Sequence, residues 1–112
     1  MKLWITTALI ALITVSAYPA MADHLSGSAL VSRCDADSAQ YMCIGYIEGV
    51  YDGYQAGTSS LGGQPPWCIP EDTTLDQLAR VVMKRLKERP EELHYSADIL
   101  VSYALRKAFP CD

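Results

Sequence analysis

Residues 43–53 of this 112-residue chain read CIGYIEGVYDG, with glycine at positions 45, 49 and 53. The surrounding residues favour a helix, although a glycine inside a helix costs about 1 kcal/mol relative to alanine. Residues four apart are neighbours on a helix surface, so Gly45, Gly49 and Gly53 form one stripe without side chains. We interpret this stripe as a close-packing surface for another helix of the same domain, or else for a second copy in a homodimer. Gly53 has a further possible role, as the residue just past the helix end.

Helical periodicity extends outward from this stretch, and no alternating pattern is long enough to predict a sheet. A first helix is expected from Ser26 to about Asp35. The second begins at a cap provided by Asp37 or Ser38 and ends near Asp52 or one turn later. A long connection over residues 57–73 follows, rich in Gly, Ser, Thr and Pro.

Two more helices are predicted in the second half of the chain. Thr74 and Gln77 form a capping box for the third helix. Pro90 ends that helix and then serves as the first-turn residue of a fourth, which Pro110 terminates. The predicted buried faces consist of Leu75, Leu78, Ala79, Val82 and Leu86 in the third helix, and Leu93, Ala97, Leu100, Val101, Ala104 and Ala108 in the fourth. The fold class is therefore all-α, a small bundle of about four helices.

The N-terminus has the layout of a secretory signal peptide. Lys2 precedes an apolar run over residues 3–15, and the small residues Ala20-Met21-Ala22 fit a cleavage site. The run is short for a membrane span, which needs roughly 20 residues. We predict a signal peptide over residues 1–22, cleaved after Ala22, and a single exported domain over residues 23–112. An uncleaved membrane anchor is the alternative.

Four cysteines remain after such cleavage, at positions 34, 43, 68 and 111. An even number in an oxidising compartment predicts two disulfides, and three pairings are possible. If successive helices alternate in direction, Cys34 meets Cys43 and Cys68 meets Cys111. Zinc is the alternative, but the sequence has no C-x-x-C pair and only two histidines. We expect no metal and no cofactor.

Loss of Lys2 leaves eight basic and thirteen acidic residues, a net charge of −5. Nucleic acid is therefore a poor partner, because phosphate binding requires a basic face. The run of cations at Lys84, Arg85, Lys87 and Arg89 is interpreted as a solvated helix face.

Candidate binding residues cluster on the second helix and the connection after it. Tyr51 and Tyr54, together with the carboxylates of Glu48 and Asp52, could face a basic protein partner. Trp67 beside a disulfide could be an exposed binding residue on a stiffened loop, or it could lie in the core. No nucleophile is evident near His94, so no catalytic residue is predicted.

Several motifs together resemble a known family. They are C-x-G-Y-I-x-G-V-x-D-G, then Trp67-Cys68-Ile69-Pro70, T-L-D-Q-L, RPEELHYSADILVSYAL and the final Phe109-Pro110-Cys111. In this order, from about Cys34 to Cys111, the chain resembles the Rap/Tai family of periplasmic immunity proteins, which neutralise peptidoglycan amidase effectors of type VI secretion systems.

The resemblance implies a small helical, disulfide-stapled domain that commonly forms a homodimer and occludes the cleft of a Cys–His amidase. It implies an inhibitor located in the periplasm rather than an enzyme. It supplies no contact residues, because the shared motifs describe the scaffold. A second hypothesis is a periplasmic acid-stress chaperone, since small disulfide-bonded helical proteins also perform that function. A third, a carrier of an apolar ligand, has no support in the sequence.

Overall fold

The computed structural model describes residues 24–112, so the predicted signal peptide lies outside the described residues. Within these residues the chain forms four α-helices and no strand, which confirms the all-α class. The helices are α1 (Gly27–Asp35), α2 (Gln40–Ser60), α3 (Leu75–Glu88) and α4 (Ala97–Ala108), with 3-10 turns at Asp37–Ala39 and Pro90–Glu92. No helix in this part of the chain is both long enough and apolar enough to cross a bilayer.

Side-chain caps start two of the helices, and the cap of α3 is the one that the sequence predicts. The Ser26 hydroxyl accepts a hydrogen bond from the Ala29 amide at 3.2 Å and begins α1. Thr74 and Gln77 form the predicted capping box of α3, with reciprocal bonds of 2.8 and 3.2 Å. These bonds satisfy amides that have no partner inside the helix.

Helix α2 continues beyond its predicted end and stops at Ser60. The hydroxyl of Thr58 donates to the Tyr54 carbonyl at 2.8 Å, and that of Ser60 to the Ala56 carbonyl at 2.7 Å, so these polar residues are accommodated inside the helix. The helix ends in a Schellman motif at Gly62, whose φ is +73°. The terminating glycine is therefore Gly62, and the assignment of that role to Gly53 is wrong.

Helix α4 begins later than predicted, at Ala97 rather than at Pro90. The cause is a tertiary contact, because the start of α1 lies against residues 93–97. The Gly27 amide donates to the Tyr95 carbonyl at 2.9 Å, and the Ala97 amide donates to the Leu25 carbonyl at 2.7 Å. These bonds hold Ser96 in an extended conformation immediately before the helix, while Pro90 starts only a single 3-10 turn.

One core lies between the helices. The predicted faces of α3 and α4 are buried at most positions, namely Leu78, Ala79, Val82, Leu86, Ala97, Leu100, Val101 and Ala104. Leu75 and Leu93 are partly buried, whereas Ala108 is exposed and its predicted burial is wrong. Leu105, Leu30 and Ile47 complete the centre, each with an exposed fraction of 1% or less.

Two disulfides fasten this bundle, and they have the pairing that alternating helix directions predict. Cys34 is bonded to Cys43 with an S–S distance of 1.96 Å, and Cys68 to Cys111 with 1.99 Å. The Cys68 amide also donates to the Phe109 carbonyl at 2.8 Å. The connection before α3 and the segment after α4 are therefore joined by both a covalent and a hydrogen bond.

Candidate protein-binding surface

The glycine stripe of α2 is exposed along its whole length. Gly45, Gly49 and Gly53 are exposed, and Gly57 continues the spacing by one more turn. A Cβ atom built on any of these four glycines would meet no atom within 4 Å. The interpretation as packing against another helix of the same domain is therefore wrong, because within the described residues no helix lies in contact distance of these positions.

An open groove of about 440 Å³ has the stripe residues Gly49, Gly53 and Gly57 along one wall. Val50 and Tyr54 of α2, together with Leu61 just beyond it, supply apolar surface, and Asp98 of α4 supplies one carboxylate. Leu61 is 89% exposed, which is a large exposed fraction for a leucine side chain. Gly57, Leu61 and Asp98 were not predicted from the sequence. The continued four-residue spacing could have identified Gly57, whereas the approach of Asp98 depends on the tertiary fold.

Trp67 belongs to the core, so its proposed role as an exposed binding residue is wrong. Its exposed fraction is 3%. The indole is stacked on Tyr51 with a centroid distance of 5.9 Å, and Tyr54 lies at 5.4 Å in a tilted arrangement. Trp67 therefore packs against the inner side of Tyr51 and Tyr54 and leaves both tyrosine side chains partly exposed. The indole Nε1 has no hydrogen-bond partner among the described residues.

Carboxylates surround this part of the surface. Asp52 is exposed, Glu48 is partly buried, and neither forms an ion pair within residues 24–112. Burial raises the pKa of Tyr46, and the negative charge of Asp98 raises it further, while a hydrogen bond with the Asp98 backbone lowers it. Burial and the charge of Asp98 therefore both favour the neutral phenol of Tyr46.

The other residues that could take part in catalysis or metal binding do not form a site in the described part of the chain. His94 is exposed, and its ring lies 4.2 Å from that of the adjacent Tyr95. Within the described part of the chain no group of three or more His, Cys, Asp or Glu side chains could hold a metal ion. All four cysteines are in disulfides, so none is a free thiol.

The arrangement is a small helical domain, held by two disulfides, with an apolar groove that is open to solvent and lined by the carboxylate of Asp98. This geometry suits contact with another protein. A family model described as Rap1a immunity proteins matches residues 26–111, which is most of the chain, and the chain belongs to that family. Comparison with curated proteins and with solved structures found no match.

Proposed function

We propose that this chain is a periplasmic immunity protein that binds a cognate type VI secretion peptidoglycan amidase and inhibits it by occluding the active site. The observation that carries the proposal is membership of the Rap1a immunity family across residues 26–111. An immunity protein neutralises an effector by binding it, and this function needs no cofactor or catalytic residue of its own.

Export is part of the same proposal. Two disulfides in a small domain are typical of an oxidising compartment. A signal peptide over residues 1–22, cleaved after Ala22, would deliver residues 23–112 to the periplasm, where the amidase acts. Mass spectrometry of the exported protein tests this step, and a mature N-terminus at Asp23 is the expected result.

We assign the effector contact to the exposed side of α2. Tyr51 and Tyr54 are held in place by Trp67 and present partly exposed rings. Glu48 and Asp52 add two carboxylates on the same helix that form no ion pair with residues 24–112, which suits a partner with basic residues around its cleft. Rigid aromatic residues with a charged border are frequent centres of binding energy.

The experiment is a titration of the amidase encoded beside this gene with the purified, oxidised protein. Complete inhibition at one protein per active site is expected. Asp52→Lys reverses one exposed charge and should weaken inhibition at least tenfold, a typical loss for a disrupted interface charge. Glu71→Lys, the same change at an exposed residue before α3, is the matched control and should inhibit normally. Absence of any inhibition by the unchanged protein contradicts the proposal.

A homodimer is the second association we propose, through the glycine stripe of α2. Gly45, Gly49 and Gly53 leave room for the backbone of a second copy. Sedimentation equilibrium tests it, and Gly49→Gln should yield a monomer without disturbing the fold. If the unchanged protein is already monomeric at high concentration, the dimer proposal is wrong while the inhibitor proposal still stands.

A further inference from the structure

A second charged surface lies on α3 and α4 and plays no part in the proposed inhibition. Three cations converge on the ring of Tyr103. The Arg85 guanidinium carbon lies 4.7 Å from the ring centroid, that of Arg106 lies at 5.2 Å and the Lys107 Nζ at 5.5 Å. We call these four residues the Tyr103 cluster.

The cations of the Tyr103 cluster differ from the other cations of α3 in lacking an acidic partner. Arg80 is paired with Asp76 at 2.6 Å, and Lys87 with Asp35 at 2.6 Å. Arg85, Arg106 and Lys107 form no ion pair within residues 24–112. Lys84, which borders the cluster, has only a 3.9 Å contact with Glu88. A chain with net negative charge thus concentrates unneutralised positive charge at one place, and an anionic ligand would neutralise it.

Apolar side chains continue this surface along α4 and the bend that precedes it. Tyr95, Ile99 and Tyr103 follow one another at four-residue spacing and line one shallow groove together with Glu92. Tyr95 is 53% exposed and Ile99 is 55% exposed. The carboxylate of Glu92 is bonded to Arg89 at 3.2 Å, so its charge is largely balanced. A row of exposed tyrosine and isoleucine next to unpaired arginine and lysine is the composition of surfaces that lie on anionic membranes.

We propose that this face, formed by Tyr95, Ile99 and the Tyr103 cluster, docks on an anionic phospholipid surface. Ile99 and the tyrosines would enter the boundary between headgroups and acyl chains, while Arg85, Arg106 and Lys107 contact lipid phosphates. Side chains in a row along α4 and the bend before it can touch a flat surface simultaneously, which favours a membrane over a curved protein cleft. The grooves on this face and the groove of α2 share no residue, so a membrane-bound molecule could still bind an effector.

The test is cosedimentation of the oxidised protein with vesicles, without any amidase present. Binding is expected to vesicles of phosphatidylcholine containing about 30% phosphatidylglycerol and not to phosphatidylcholine alone. Each basic residue near such a surface strengthens binding about fivefold, so Arg85→Gln/Arg106→Gln should weaken it about 25-fold. Arg80→Gln/Lys87→Gln removes the same charge outside the cluster and should bind nearly as well as the unchanged protein. Ile99→Ser should weaken binding without changing its dependence on salt.

Several results would overturn the proposal. Equal sedimentation with neutral and anionic vesicles would exclude recognition of the lipid charge. Equal losses of vesicle binding in the two double variants would exclude the Tyr103 cluster as the site of that recognition. The protein could also be displaced from vesicles by inorganic phosphate but not by sodium chloride of equal ionic strength. That result would indicate a discrete anion site instead of a lipid-binding surface. If Arg85→Gln/Arg106→Gln binds vesicles normally but binds the amidase more weakly, the face around Tyr103 contacts an acidic surface of a protein partner and not a membrane. Circular dichroism of each variant verifies that the fold is intact.

Discussion

Replacing the exposed glycines of α2 by alanine should stabilise the protein and at the same time damage its contact surface. The variant is Gly45→Ala/Gly49→Ala/Gly53→Ala. All three positions lie inside a 21-residue helix, and an added Cβ meets no atom within 4 Å at any of them. The substitution therefore carries the benefit of higher helix propensity without any steric cost in the isolated domain.

The expected magnitude follows from this geometry. Glycine to alanine at a compatible helical position contributes about 0.4–1 kcal/mol, partly through the unfolded chain. Three such changes should add about 2 kcal/mol to the free energy of unfolding. For a domain of this size, 1 kcal/mol raises Tm by about 4–8 °C, so the triple variant should melt roughly 8–16 °C higher.

The assay is guanidinium denaturation of the oxidised protein at low concentration, supported by calorimetry, with two glycine controls. A Cβ at Gly27 would overlap the Leu100 Cδ1 atom and lie 3.1 Å from the Leu93 carbonyl oxygen, so Gly27→Ala should destabilise by about 1–3 kcal/mol. Gly62 has a φ of +73°, and Gly62→Ala should cost about 1 kcal/mol. A triple variant that is less stable than the unchanged protein would refute the exposed position of the stripe. A stabilised variant that still dimerises and inhibits with full affinity would refute its role as a contact surface.

Three further predictions concern the disulfides, the buried indole and the response to pH. The two bridges close segments of very different length, with sequence separations of 9 and 43. On the chain-entropy relation, Cys68→Ser/Cys111→Ser should destabilise by about 4 kcal/mol and Cys34→Ser/Cys43→Ser by about 2.6 kcal/mol. Urea denaturation of each variant measures the difference, and a larger loss for the short segment would contradict the entropic explanation. Trp67→Ala should cost about 3–5 kcal/mol because it empties the space beneath Tyr51 and Tyr54. Trp67→Phe should cost much less, since it keeps an aromatic ring there and removes a buried N–H without a partner; equal losses in thermal denaturation would refute this. Because burial and Asp98 raise the pKa of Tyr46, its contribution to stability is fully present below the unfolded-state pKa of about 10 and is lost as pH rises through the folded value. Spectroscopic titration of tyrosinate should show one phenol ionising late, and Asp98→Asn should make it ionise earlier.

Local signals in the sequence were sufficient for most of the architecture. The capping box at Thr74 and Gln77 and the terminating Pro90 define α3 almost to the residue, because their hydrogen bonds connect near neighbours in the chain. The C-terminal end of α2 was misplaced although it is set locally, by hydrogen bonds from the Gly62 and Gly63 amides to residues of the last turn. The start of α4 was misplaced for the opposite reason. The start of α4 depends on the backbone hydrogen bond from Gly27 to Tyr95. These residues are far apart in the sequence, and helix propensities carry no information about such contacts.

The candidate surface was less predictable than the fold. A pattern of glycines reveals that side chains are absent, but it does not reveal whether another element fills the space. In the same way, the composition around Trp67 fits both an exposed and a buried indole. Its burial is decided by Tyr51 and Tyr54, which come from the preceding helix and cover it.

The pairing of the cysteines also bears on how the molecule is made. Each bridge joins a cysteine to the next one along the chain, Cys34 to Cys43 and Cys68 to Cys111. When such a chain is threaded through a translocon N-terminus first, an oxidase that links thiols in their order of emergence produces the native bonds directly. Maturation should therefore proceed without an isomerase to shuffle incorrect pairs, and yield in a strain lacking that enzyme should be undiminished.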